Sequence, residues 1–170
     1  MKAKINNCIV EFESSNVRNL VKEHFQEDYK NFIACKINGE VKGIYTAVND
    51  GDEIELLTFD DEEARQVFWH TTSHVLAYAV SRLYKNVKFA IGPATSEGFY
   101  YDFDGVESFE DLEIIEKEMK KIIKENPRME RFVVSKQEAE KLFENQPYKL
   151  EILKEIEGEI TCYKLGDFVD

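Results

Sequence analysis

Residues 69–104 read WHTTSHVLAYAVSRLYKNVKFAIGPATSEGFYYDFD, and the rest of the chain is best understood outward from them. The segment opens with His70 and His74, four positions apart in a pattern that runs without a helix breaker from about residue 61 to residue 84. On an α-helix, positions i and i+4 share a face, so both imidazoles can converge on one ligand, metal or water. Val67, Phe68, Leu76, Ala79, Val80 and Leu83 give this helix its buried contacts. Beyond it, residues 88–91 predict a strand, Gly92-Pro93 a turn, and residues 98–103 a second strand rich in aromatics. Two of the chain's three histidines thus fall in one helical turn. Chemistry is expected there.

Upstream, residues 4–12 predict a strand pair turning at Asn6-Asn7, or a single strand with a ragged start. Ser14-Ser15-Asn16 offers capping oxygens to a short helix whose apolar stripe is Val17, Leu20, Val21 and Phe25. Residues 32–37 alternate as a strand, Asn38-Gly39 turns the chain, and residues 41–48 continue as its partner. A turn at residues 49–52 leads into a last strand carrying Ile54, Leu56 and Phe59. Strand, helix and several short strands within about 60 residues make a small α+β unit of β-grasp (ubiquitin-like) type. Asp60-Asp61-Glu62-Glu63 then opens the long helix favourably for its N-terminal dipole.

Downstream, Ser108 with Asp111 resembles a capping box for a helix over about residues 109–125, with Leu112, Ile115, Met119, Ile122 and Ile123 as its apolar stripe. Residues 131–134 read as a strand, and Ser135 with Glu138 as a second capping box. A further helix follows Gln146-Pro147, and residues 160–165 return as a strand.

The 170-residue chain carries 43% hydrophobic and 33% charged residues, enough apolar content for packed cores. No apolar run is long enough to span a membrane, and a cytoplasmic location is expected. Three cysteines, widely spaced and without a CxxC pair, point to free thiols. A net charge of -12 works against sequence-blind binding to phosphate backbones, so any contact with RNA must use a local patch.

Taken alone, HxxxH is a weak signal, since histidines meet at this spacing on many structural helices. As zinc ligands the pair leaves a site one or two ligands short, and Cys162 reads as a strand interior. The metal-free alternative is a neutral histidine that holds or deprotonates water while its partner positions substrate. Gly92-Pro93 is either a plain tight turn or a place where backbone approaches a ligand, glycine having no Cβ. Tyr100 and Tyr101, adjacent on a strand, point to opposite faces, one into the core and one towards a ligand. Lys117, Lys120, Lys121, Lys124, Arg128 and Arg131 are the wet side of an amphipathic helix, with an RNA-facing patch as the second reading.

HTTSH, AIGP and GFYYDF in this order, together with the upstream ACKINGE and NDGDEIELLTFDDEEA segments, resemble the N-terminal half of bacterial threonyl-tRNA synthetases. The resemblance implies a TGS β-grasp domain over about residues 1–60 and an α+β editing domain over residues 61–170, truncated at its C-terminus. The family's HxxxH histidines match His70 and His74, its Gly-Pro loop Gly92 and Pro93, and its tyrosine pair Tyr100 and Tyr101. Asp170 stands where the family has an acidic residue associated with the site. The sequence departs in stopping before the family's Cys-x-Gly-Pro-His motif, which implies a piece of a longer enzyme with an incomplete pocket and little activity of its own. Trp69 also replaces the basic residue usual before the first histidine.

By this resemblance the longer enzyme joins threonine to tRNA(Thr) using ATP, and the editing domain hydrolyses mischarged Ser-tRNA(Thr). His70 and His74 would hold the terminal ribose and the attacking water, with Gly92 and Tyr101 shaping the pocket and no metal in this site. ATP, Mg and Zn would belong to a catalytic core absent here, as would the contacts of a homodimer; the partner of this region is the tRNA(Thr) acceptor end. Two other readings stand beside it. One is a zinc-dependent hydrolase of the alanyl trans-editing type, in which HxxxH joins a Cys and a His around the metal. The other is a non-catalytic TGS-type module that binds RNA or nucleotide.

Overall fold

Asn6 and Asn7 both carry positive φ, 44° and 71°, as a two-residue hairpin of the right hand requires. They join β1 (Lys2–Ile5) to β2 (Cys8–Glu11), in a computed structural model that describes residues 1–106 and 112–170. Helix α1 (Val17–His24) follows, and the Asn16 side chain accepts the Asn19 N–H at 3.0 Å to cap it. A 3-10 turn (Gln26–Lys30) leads to β3 (Phe32–Ile37) and β4 (Glu40–Gly43). Their turn again pairs positive φ values, 53° at Asn38 and 85° at Gly39. β5 (Glu53–Thr58) completes a sheet of order β2-β1-β5-β3-β4, parallel between β1 and β5 and antiparallel elsewhere. This is an α+β unit of β-grasp form.

The pairing strand expected to reach residue 48 stops at Gly43. From there the backbone serves the helix start instead: Val17 N–H donates to Thr46 O and Arg18 N–H to Ile44 O. The alternation expected along β3 is also broken, because Ala34 and Cys35 are consecutive and both fully buried. A central strand has a core on each side. Cys35 joins the cluster of Ile5, Val17, Leu20 and Leu56, while Ala34 packs with Leu57 and Ala64. Asp52, buried at the turn, accepts from Asn38 Nδ2 at 2.9 Å and from the Asn49 N–H at 2.8 Å.

The chain forms two compact units, Met1–Trp69 and His70–Asp170, and the division falls inside α2 (Glu62–Leu83). In the second unit α2 is buried on nearly every side from Ser73 to Val80, with only Leu76 partly exposed. The two strands expected around Gly92-Pro93 shrink to a two-residue pair, β6 (Lys88–Phe89) against β7 (Phe103–Asp104), with an isolated bridge from Ala94 to Phe99. Pro93 has no N–H to give a ladder. Tyr100 and Tyr101 therefore lie outside regular strand, although Asp102 still exchanges backbone hydrogen bonds with Ala90 and Ile91.

Helix α3 (Leu112–Glu125) buries Ile115 and Ile122, and Asn126, at φ 53°, turns the chain out of it. The Ser108–Asp111 capping box lies outside the described residues. The expected stripe needs correction: Leu112 is 63% and Ile123 60% exposed. β8 (Met129–Val134) leads through the Ser135–Glu138 capping box, present in both directions, to α4 (Lys136–Leu142). Pro147 starts α5 (Pro147–Glu155), then come β9 (Ile160–Leu165) and β10 (Phe168–Val169). These strands make an antiparallel sheet of order β10-β9-β8. Among the described residues, no helix is long and apolar enough to cross a membrane.

Leu20→Ala, which empties the centre of the first unit, is expected to cost about 2–5 kcal/mol in urea denaturation of the whole chain. Ile9→Ala, at a position 75% exposed, is expected to change stability by no more than about 0.5 kcal/mol. Equal losses at the two sites would contradict the core assigned to this sheet.

Candidate functional site

One turn of α2 brings the Nε2 atoms of His70 and His74 to 3.0 Å from each other, with the rings nearly perpendicular. Helix geometry alone accounts for the shared face; the contacts around the rings account for their aim. Tyr163 of β9 packs edge-to-face on His70 with centroids 4.7 Å apart and tilts over His74 at 5.7 Å. Phe168 of β10 closes on His74 from another side at 6.3 Å. Ser73, fully buried, places its hydroxyl 2.9 Å from the carbonyl oxygens of both His70 and Gly92. That single hydroxyl ties the Gly92-Pro93 turn to the histidine-bearing helix.

Asp170 lies behind the pair. Its backbone is fixed by two hydrogen bonds with Tyr163, at 2.7 and 2.9 Å, which extend the pairing of β10 with β9. Its carboxylate accepts from the Tyr101 hydroxyl at 2.5 Å through Oδ2 and from the Lys149 ammonium through Oδ1. Lys149 uses its remaining donors on the Ala90 carbonyl and the Tyr101 oxygen, both at 3.1 Å. An ammonium has three donors, and here all three are matched. A buried ion pair offsets its desolvation only when its other hydrogen-bonding capacity is met, as it is in this cluster.

The charge distribution decides where the imidazole protons sit. His74 Nδ1 is buried without a hydrogen-bond partner and lies 3.8 Å from Asp170 Oδ2. A bare ring nitrogen would there set a lone pair against a carboxylate, so Nδ1 carries the proton. His74 Nε2 is then an acceptor, and the 3.0 Å contact is a donation from His70 Nε2–H. The basic lone pair left on the dyad is at Nδ1 of His70. Burial pushes the His74 pKa down to about 4 and lowers that of His70, and the nearby Asp170 opposes both shifts without overcoming them. Both rings are neutral at pH 7. Burial first, and the adjacent carboxylate second, raise the Tyr101 pKa so far that it remains a phenol donor.

Of the residues singled out in the sequence, His70, His74, Tyr101 and Asp170 come together. Gly92 joins them as well: a Cβ there would fall 2.0 Å from Cδ2 of Tyr101, so the glycine makes room for that ring. Pro93 is half-buried beside it, and Tyr100 is 46% exposed, directed away from the core that holds Tyr101. Cys162 is buried in a separate cluster with Ala139, Phe143 and Leu153. Lys149, Tyr163 and Ser73 were not legible as site residues, since each acts through partners remote in sequence and no local pattern marks them.

An unfolded histidine takes up a proton below about pH 6.5, whereas folded His74 resists it until about pH 4. The folded state therefore binds fewer protons across this window, and its advantage, complete above pH 6.5, is lost as pH falls towards 4. The wild-type chain is expected to lose up to about 3 kcal/mol more than His74→Gln over that range, measured by urea denaturation at each pH. A difference that stays constant with pH would contradict the buried neutral ring.

No family model matches this chain. It is 53% identical over 144 residues to a threonine-tRNA ligase of Caldanaerobacter subterraneus subsp. tengcongensis, an alignment covering 81% of this chain and 22% of the ligase. The threonine-tRNA ligase of Clostridium tetani is 53% identical over 148 residues, covering 84% of this chain and 23% of that protein. That of Acetivibrio thermocellus is 54% identical over 144 residues, covering 81% and 23% respectively. The chain thus spans less than a quarter of the length of these curated relatives. At this level of identity across four-fifths of its residues, the chain is similar to the N-terminal part of threonine-tRNA ligases.

Proposed function

We propose that the His70–His74 site is a hydrolytic editing site, cleaving the ester of serine wrongly loaded onto tRNA(Thr) by a threonine-tRNA ligase. The observation that carries this reading is the pair of imidazoles with Nε2 atoms 3.0 Å apart, backed by the Asp170 carboxylate 3.8 Å from His74 Nδ1. Serine is threonine less one methyl, and a missing methyl gives a synthetic site only about 1–3 kcal/mol of discrimination. A second site that takes the smaller product and sterically refuses the larger one supplies the rest.

The chemistry asks little of the protein, because an aminoacyl ester is already an activated acyl group. His70 Nδ1 takes a proton from a water whose oxygen adds to the ester carbonyl. The tetrahedral adduct then collapses, the bond from the carbonyl carbon to the ribose oxygen breaks, and that oxygen receives the proton back. The products are serine and tRNA with a free terminal hydroxyl. Positive charge gained by His70 during the step is shared through Nε2–H to His74, whose Nδ1–H faces Asp170. Tyr101 and Lys149 keep that carboxylate oriented. General-base catalysis of this kind is worth about 10²–10⁴-fold, and holding water and ester together adds to it. The partner of this region is accordingly the aminoacylated acceptor end of tRNA(Thr). Activation of threonine with ATP belongs to the remainder of the longer ligase.

In a threonine-tRNA ligase carrying this chain, His70→Ala is expected to slow Ser-tRNA(Thr) deacylation by about 10²–10⁴-fold. His74→Ala should slow it in the same direction, and neither change should alter ATP-dependent activation of threonine. Undiminished deacylation in both variants would refute the reading.

A further inference from the structure

We infer that Tyr163 is a positioning residue of this site, its ring clamping the imidazole pair while its backbone sets the carboxylate behind them. This inference rests on the editing reading and deepens it. Tyr163 lies within β9, opposite Arg131 of β8 and between buried Cys162 and exposed Lys164, in a strand paired along its length with β8. Its N–H and carbonyl both bond Asp170, at 2.7 and 2.9 Å. The same residue therefore fixes where the acidic side chain can stand. Its ring meets His70 at 82° with centroids 4.7 Å apart, and tilts by 52° over His74 at 5.7 Å. These are the separations at which aromatic pairs hold each other by edge-to-face contact.

Ring flips of His70 are what the dyad must avoid. A flip about the Cβ–Cγ bond would carry Nε2 away from His74, break the 3.0 Å contact and turn the basic nitrogen from its working direction. His74 is already walled in by Phe168 and its own burial, at 4% exposure. His70 is only half-buried, and among the described residues Tyr163 is the aromatic ring packed on it besides its partner histidine. The ring also occupies space that water would otherwise take beside both imidazoles. The charged groups acting on the dyad from the surrounding elements are Asp170 next to β10 and Lys149 of α5, with the Tyr101 hydroxyl bonded to both. None of these is a substitute for the Tyr163 ring, since all three are engaged with one another.

The ring rather than the hydroxyl is the active part, so Tyr163→Phe and Tyr163→Leu are expected to separate. Tyr163→Val, a strand-forming alternative, serves if the leucine variant folds poorly. In the chain itself, proton NMR titration of the His70 ring is expected to move up towards pH 6.5 in the Leu and Val variants. The Phe variant should titrate with the wild type. In the longer ligase, Leu and Val should lower the kcat for Ser-tRNA(Thr) deacylation on the order of 100-fold. The acidic limb of the pH profile should shift upward with it, and Phe should restore both. Unmoved His70 titration in the Leu and Val variants would overturn the inference, as would a Phe variant as impaired as Leu. If the NMR behaves as expected but the wild-type ligase fails to deacylate Ser-tRNA(Thr), the editing reading falls and the clamp stands.

Discussion

The carboxylate of Asp170 governs the second unit's chemistry, although it touches neither the water nor the ester of the proposed reaction. It is nearly buried, takes donors from Tyr101 and Lys149, and stands 3.8 Å from the inner nitrogen of His74. A carboxylate in such a place is costly unless its lone pairs are used. Here they are used by two groups from separate elements, a helix and the aromatic segment after Gly92. The desolvation cost is thereby converted into geometry: the charge is present, fixed, and faces one ring nitrogen.

From that charge the state of the whole dyad follows. A proton must sit on His74 Nδ1, so Nε2 of the same ring accepts, so His70 donates from Nε2 and keeps its other nitrogen basic. Two histidines on one face of a helix do not by themselves decide which of them is the base; the asymmetry comes from behind. Burial adds the second condition by lowering both pKa values, which keeps each ring neutral at pH 7. The Gly92 turn serves the same end. Its lack of a Cβ admits the Tyr101 ring, and its carbonyl lies at the Ser73 hydroxyl one residue from His74.

What the sequence disclosed, and what it did not, divides by range. Turns are local, and Asn6-Asn7 and Asn38-Gly39 adopt the positive φ pairs that their side chains tolerate. The HxxxH face is local as well. Errors arose where tertiary context overrode a local pattern. Leu112 and Ile123 fit an apolar stripe but are exposed, and Tyr100-Tyr101 fit a strand that Pro93 leaves without a full ladder. Lys149 was invisible for a more basic reason. A lysine on a short amphipathic helix looks like a solvated charge, and only the fold reveals that its three donors end on Ala90, Tyr101 and Asp170. Similarity to threonine-tRNA ligases points to the kind of protein, whereas the proposed roles within the site are argued from distances and charge.

The most direct test of this account is the tautomeric state of the two rings, read from long-range proton–nitrogen NMR correlations of the nitrogen-15-labelled chain at pH 7. The account requires two neutral rings, with His74 protonated on Nδ1 and His70 on Nε2. A His74 ring protonated on Nε2, or a charged ring at either position, would contradict it.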